Sequence, residues 1–290
     1  MESRSKALWY ALASAFSFAV MGAIVKLAAD VDVLEKVFFR NIVSLAVALA
    51  IVLHNRRPFF GKRRNQLALM SRSLLGVGGV SCYFWAIDHL LLADAAMLGK
   101  LSPFFVAIFA AFFLREHITI RVAAALVMGF AGGLLVIKPA FDLRVLPALV
   151  GAASAVFAGG AYVLLRFLRD REPPETIVLH FSLVTVFGVL PFVLPDLTRP
   201  TGIEWIWLLG IGVSAAAGQL TLTASYRHAP AGKVALIGYA TIVFSALFGW
   251  LWWAEVPDHL SAAGGLLILA GGFVAFAPAN EAPAATNSAD

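Results

Sequence analysis

Lys100 is the residue whose chemistry fits its surroundings least. It stands in the run LLADAAMLGKLSPFFVAIFAAFFL, about ten residues, or roughly 15 Å of helix, from either end of an apolar segment. An ammonium at that depth cannot easily snorkel to water, so it must face a cavity, an acidic partner or backbone carbonyls. No Asp or Glu lies at comparable depth in any apolar segment, which favours a cavity. There the lysine would attract a carboxylate or phosphate and repel cations. The alternative bonds it to carbonyls near Pro103, whose missing N–H frees an acceptor one turn back.

Other side chains could complete such a site. Tyr83, Trp85, Phe157, Tyr162 and Tyr239 can wall an apolar solute, with lipid-facing or core packing an equal alternative. Ser14, Ser154 and Gln219 can hydrogen-bond a solute without charge, or can bond helix to helix. Arg40 lies two turns into its segment; Lys36, one turn earlier, can pair with Asp32 at i, i+4, which leaves Arg40 for a cavity mouth or for snorkelling. His180 is similarly ambiguous. Lys26, Arg72 and Arg166 stand near segment ends, where snorkelling suffices, and Glu116 and Glu255 fall at junctions, where capping a following helix is favoured over gating.

Several chemistries are absent. No G-x-x-x-x-G-K-[ST] loop exists, because neither Gly61-Lys62, Gly99-Lys100 nor Gly232-Lys233 is followed by Ser or Thr. There is no HExxH, no CxxC and no deep carboxylate pair, so neither catalytic residues nor a metal site are expected, and no cofactor. The single cysteine, Cys82, reads as inert packing. The net charge of +5 is dispersed between apolar segments, which argues against nucleic acid.

The elements that must position these residues are membrane spans. With 61% hydrophobic and 13% charged residues, and a mean hydropathy of +0.86, water is not the main solvent. A bilayer core needs about 20 apolar residues per helix, and apolar stretches fall near 7–29, 33–54, 66–88, 91–115, 118–138, 147–168, 175–195, 204–227, 230–254 and 258–278. The expected fold is an all-α membrane protein of ten transmembrane helices. The first span reads as retained rather than cleaved, and residues 280–290 as a disordered C-terminal tail. Basic residues cluster on one side, from Arg4 and Lys6 through Arg56, Arg57, Lys62, Arg63 and Arg64 to Arg115, Arg121, Arg169 and Arg171. Asp30, Asp32, Asp88, Asp94, Asp196, Glu204, Glu255 and Asp258 lie opposite, with only Lys138, Arg144 and Arg199 as basic residues there. The positive-inside rule then puts both termini in the cytoplasm.

The chain also repeats. Ala93–Pro139 aligns without a gap onto Gly232–Pro278 at an offset of 139, with 12 of 47 pairs identical, among them Gly99 with Gly238 and Glu116 with Glu255. Composition alone would give roughly half that. At an offset of 140, Ala13-Ser14-Ala15 matches Ala153-Ser154-Ala155 and Glu35 matches Glu175. The expected units are a first five-helix repeat over 1–140 and a second over 141–279. Five is odd, so the copies would lie inverted, an arrangement that supports alternating access in secondary transporters. Lys100 aligns with Tyr239, a divergence expected where an asymmetric solute binds.

The run EKVFFRNIVSLAVAL in the second span, SCYFWAIDHLLLADAAMLGKLSPFFVAIFAAFFLREHIT across the third and fourth, and the glycine-rich fifth span resemble the drug/metabolite transporter (DMT) superfamily, EamA type, over residues 7–278. Within it the chain is similar to the YddG-like amino-acid exporters. The resemblance implies that the first four helices of each repeat surround a central cavity, with the fifth and tenth as buttresses. The first span lacks the glutamate of the small multidrug antiporters, so cation efflux is disfavoured. The expected protein is a monomer or weak homodimer in the bacterial inner membrane. It would export small metabolites, amino acids including aromatic and apolar ones first among them. An importer or exchanger of a larger metabolite such as S-adenosylmethionine or riboflavin is the alternative, and a membrane-embedded enzyme a remote one.

Overall fold

Long apolar stretches punctuated by Asp, Thr and Pro at their starts dictate helices with defined entries. The computed structural model describes residues 2–138, 145–195, 200–228 and 231–276, and within them the side chains other than those of 2–4, 114, 226, 227, 231–233 and 235. The tail from 280 and Pro139, Arg144, Asp196, Arg199 and Pro278 lie outside the described residues. The elements are α1 (Glu2–Leu27), α2 (Val33–His54), α3 (Gln66–His89), α4 (Leu92–Gly99), α5 (Ser102–Leu114), α6 (Ile120–Ile137), α7 (Leu146–Leu168), α8 (Pro174–Val193), α9 (Gly202–His228), α10 (Ala231–Gly238), α11 (Ala240–Trp253) and α12 (His259–Phe276). Among the described residues nine segments are long and apolar enough to cross a bilayer, two of them including the broken helices, and His259–Ala275 is a shorter apolar tenth.

The fourth and ninth spans are not the continuous helices expected over 91–115 and 230–254. Each breaks at the repeat-matched position, Lys100 in one and Tyr239 in the other. At the first break Pro103 has no N–H to continue the ladder, and the chain tightens into i→i+3 bonds, Leu101 N to Leu98 O at 3.0 Å and Phe104 N to Leu101 O at 3.0 Å. The second break has no proline. There the Thr241 hydroxyl donates to the Gly238 carbonyl at 2.9 Å, the local competition that disfavours Thr inside helices.

Helix packing follows the repeat. Helix α1 lies along α9 as α7 lies along α3, α2 packs on α8, and α6 on α12. Local conformation repeats too: Arg115 and Ala254, 139 apart, both end their helices in the left-handed region (φ 56° and 53°). One contact breaks the pattern. Helix α4 packs on α11, whereas the matching contact of α10 with α5 is nearly absent among the described residues.

The α6–α12 contact depends on glycine. A Cβ at Gly132 would meet the Gly264 carbonyl oxygen at 2.5 Å, and one at Gly264 would meet that of Gly132 at 2.5 Å. Backbone cannot yield as a side chain can, so Gly132→Val is expected to cost at least the ~1–3 kcal/mol of ordinary overpacking and to lower the Tm by about 5 °C or more. Thermal unfolding of the purified protein in detergent checks this; an unchanged Tm would show that the helices can separate freely.

Candidate functional site

The two helix breaks face one central cavity of about 730 Å³. Small residues make room for it. Gly76 and Gly79 of α3 and Ala11 and Ala15 of α1 line it, and Gly99 lets the Tyr83 ring lie against the α4 backbone. Its lining reaches the α5–α6 loop at Glu116, His117 and Ile118 and the end of α7 at Arg166. Among the described residues it includes none from the loops that follow α1, α3, α8 and α11. The cavity therefore opens at the face carrying the α5–α6 loop and is sealed at the other.

Eight of the ten residues offered above for the site line this space; Trp85 and Phe157 do not, the Phe157 ring packing instead against Gly78 of α3. Lys100 stands at the first break, and among the described residues its ammonium has neither a hydrogen-bond nor an ion-pair partner. The bond to carbonyls near Pro103 is not made. Tyr239 stands at the second break, its ring against Gly272 and its buried hydroxyl unpartnered. Tyr83 and the half-exposed Tyr162 form walls. Ser14 lines the cavity while donating to the Gly218 carbonyl at 2.8 Å, bonding α1 to α9, and Ser154 donates to Gly151 of its own helix at 2.6 Å. The Gln219 amide and Arg40 also face the space. Trp85 does not: its ring stacks on His89 at 4.0 Å, outside the cavity lining.

Arg72, read from sequence as a snorkelling residue, is instead a cavity residue. Its guanidinium carbon lies 4.3 Å from the centre of the Phe181 ring, and its Nε and Nη1 are buried without a partner. Arg40 has a buried, unpartnered Nε and one long contact, Nη1 to Asn41 Oδ1 at 3.4 Å. Tyr162 lines the same cavity as both arginines. His180, the repeat counterpart of Arg40, is occupied by the Ser73 hydroxyl at 3.0 Å.

The charges at the ends form pairs that spacing alone did not suggest. Lys36 is fully buried and bonds both Asp88 oxygens at 2.8 Å, not Asp32, whose carboxylate is taken by the Leu34 N–H at the start of α2. At the sealed face Lys26 pairs with Glu255 and donates to the Leu90 carbonyl at 2.7 Å; Glu255 also accepts from the Leu92 N–H at 2.9 Å. Lys26 therefore does not snorkel, and Glu255 caps α4 rather than the helix that follows it. Asp258 caps α12 at the Ser261 N–H, and the Lys138 ammonium beside it holds its carboxyl below the usual range. At the open face Arg166 grips Glu116 in a fork of 3.0 and 2.9 Å. These are matching residues of the two repeats: Lys26 with Arg166 and Glu255 with Glu116. The sealed pair is 13% and 12% exposed, the open pair 53% and 42%.

Comparison with known proteins agrees with this architecture. The profile of the EamA-like transporter family matches twice, over residues 5–138 and 145–277. The pseudopaline exporter CntI of Pseudomonas aeruginosa is 40% identical over 262 residues, 89% of this chain and 92% of its own length. The riboflavin transporter of Vibrio cholerae is 28% identical over 70% of this chain and 69% of its own. Human solute carrier family 35 member G1 is 26% identical over 91% and 76%. A solved crystal structure at 24% identity, covering 91% of this chain and 96% of its own, shares the fold with a TM-score of 0.62. All-helical, spanning the membrane many times around one central cavity, and matched by the family profile in both halves, the chain belongs to the EamA-like transporter family and is a membrane transporter rather than an enzyme.

Proposed function

We propose that the chain is an inner-membrane exporter of small zwitterionic or anionic metabolites, amino acids first among them, working by alternating access. The observation that carries this reading is the unpartnered Lys100 ammonium at a helix break inside the cavity. A cation held at mid-span without a protein partner is costly, and a substrate carboxylate would relieve that cost each time the site is filled. The basic loops share the open face, so the positive-inside rule turns the cavity toward the cytoplasm, the side from which an exporter loads. The CntI relative is named as an exporter.

Alternating access follows from treating the two halves as inverted five-helix units, 1–140 and 141–279. The sealed face is closed by α4 on α11 and by the Lys26–Glu255 pair. In the opposite state α10 closes on α5, and Glu116 and Arg166 take up the roles that Glu255 and Lys26 play here. Among the described residues no carboxylate other than Glu116 at the mouth lines the cavity to carry a coupling proton, so facilitated diffusion or exchange is the simplest energetics.

A larger cargo is the competing reading, because about 730 Å³ falls within the ~300–1,000 Å³ of pockets that hold drug-sized molecules, and one relative is named a riboflavin transporter. Uptake of radiolabelled amino acids, aromatic ones included, into liposomes containing the purified protein separates the two. Saturable uptake above empty liposomes is expected. Its absence for every amino acid, with uptake of riboflavin or S-adenosylmethionine, would replace the first reading by the second.

A further inference from the structure

The cavity holds more positive charge than one carboxylate can answer. Lys100, Arg40 and Arg72 all line it, and within it the only carboxylate of the described residues, Glu116, is committed to Arg166 at the mouth. Three guanidinium nitrogens, Arg40 Nε and Arg72 Nε and Nη1, are buried with no hydrogen-bond partner. Native proteins seldom leave such donors empty, and arginine does not deprotonate to escape the cost. Arg72 is held in place from the protein side by the Phe181 ring, which takes one face of the guanidinium and leaves its edge donors free. Arg40 comes from α2, Arg72 from α3 and Tyr162 from α7, and all three line the one cavity. Lys100 comes from the α4–α5 break.

We propose that Arg40 and Arg72, with the Tyr162 hydroxyl, form an anion subsite distinct from Lys100, so that the transported solute carries at least two anionic groups. This rests on the reading of the cavity as the substrate site and narrows its cargo. The substrate class is an amino-acid-derived metabolite with two or more carboxylates, or with a carboxylate and a phosphate, long enough to reach from the helix break to the two arginines. Arginine suits the second position because its fork meets a planar carboxylate or a phosphate with two parallel bonds.

The test is ligand-induced thermal stabilisation of the full chain in detergent at constant ionic strength. The probes are L-phenylalanine with one anionic group, L-glutamate and γ-glutamylglutamate with two and three carboxylates, and O-phosphoserine with a carboxylate and a phosphate. Apparent affinity is expected to rise from one anionic group to two. That rise should be reduced by about tenfold or more in Arg72→Ala and in Arg40→Ala, the loss of one charge-assisted bond, while the phenylalanine response changes less than about threefold. Arg72→Lys should recover part of the glutamate response, which a folding defect would not. Comparison of γ-glutamylglutamate with O-phosphoserine tells carboxylate from phosphate as the second group.

Equal affinity for one- and two-anion probes, an undiminished rise in both variants, equal loss for all probes, or no response to any probe would each overturn the proposal. Binding of the multi-anion probes together with no transport of any amino acid would instead overturn the amino-acid reading and leave the subsite standing.

Discussion

Replacing Lys100 by methionine is expected to lower saturable uptake by about 10- to 100-fold while leaving the protein as stable as the wild type or more so. The two halves of that expectation come from the same observation. The ammonium has no partner among the described residues, so methionine, close to it in length and shape, removes a desolvated charge without leaving another group unsatisfied. The substrate, by contrast, loses a charge-assisted bond of about 1.5–3 kcal/mol. A structural lysine would give the opposite pattern, with lost stability and uptake falling only as far as the folded fraction falls. Lys100→Arg keeps the charge but replaces a compact ammonium by a longer planar fork, so intermediate uptake is expected. Uptake at equal incorporation and a thermal melt of each variant are sufficient to decide. Methionine with wild-type uptake would remove Lys100 from the pathway.

The same lysine shows how far the sequence could be read. A cation far from both ends of an apolar run has so few physical outlets that the residue type and its depth together imply the cavity, and the structure contains one. Span positions were legible for the same reason, since bilayer thickness fixes length. The broken helices were not legible, because a hydropathy window averages over Gly-Lys-Leu-Ser-Pro and sees one long segment; the signal was local, Pro103 in one copy and Thr241 beside Gly238 in the other. Partner choice was harder still. Asp32 and Lys36 satisfy the i, i+4 rule, yet capping took the first and Asp88, 52 residues away, took the second. The position of Arg72 near a span end implies snorkelling and gives no reason to look inward. Only tertiary packing, with Phe181 brought from α8, turns it into the cavity. Trp85 illustrates the converse, an aromatic at a suitable depth whose neighbour one turn on, His89, claims its face.

The repeat carried information that pairwise reading of the sequence missed, and it yields the second large effect. Lys26 and Arg166 were equivalent by alignment, as were Glu255 and Glu116, but nothing in one dimension said that each basic residue faces the acid of the other half. The structure pairs them at opposite faces in unequal environments. At the sealed face the pair is nearly buried and its members also hold the Leu90 carbonyl and the Leu92 N–H, so it ties α1, the α11 end and the start of α4 together. At the open face the pair is half exposed and screened, and contributes little. In the alternate state proposed above the environments would exchange. Breaking the Lys26–Glu255 pair should therefore favour the alternate state, and breaking Arg166–Glu116 should favour the present one. Removing one partner of a buried pair costs about 3–5 kcal/mol, enough to move the ratio of two states by about 100-fold or more.

Ala93 reports this directly. It is 2% exposed, and it lies one turn from the cavity-lining Ala96 toward the sealed face. In a Cys82→Ser background carrying Ala93→Cys, alkylation by N-ethylmaleimide is expected to accelerate strongly with Glu255→Gln and to slow with Glu116→Gln. The opposite signs are the discriminating feature, because general loosening of the fold would accelerate both. If Glu255→Gln leaves the rate unchanged, the pair is a cap and not a latch, and closure at that face rests on the packing of α4 against α11 alone.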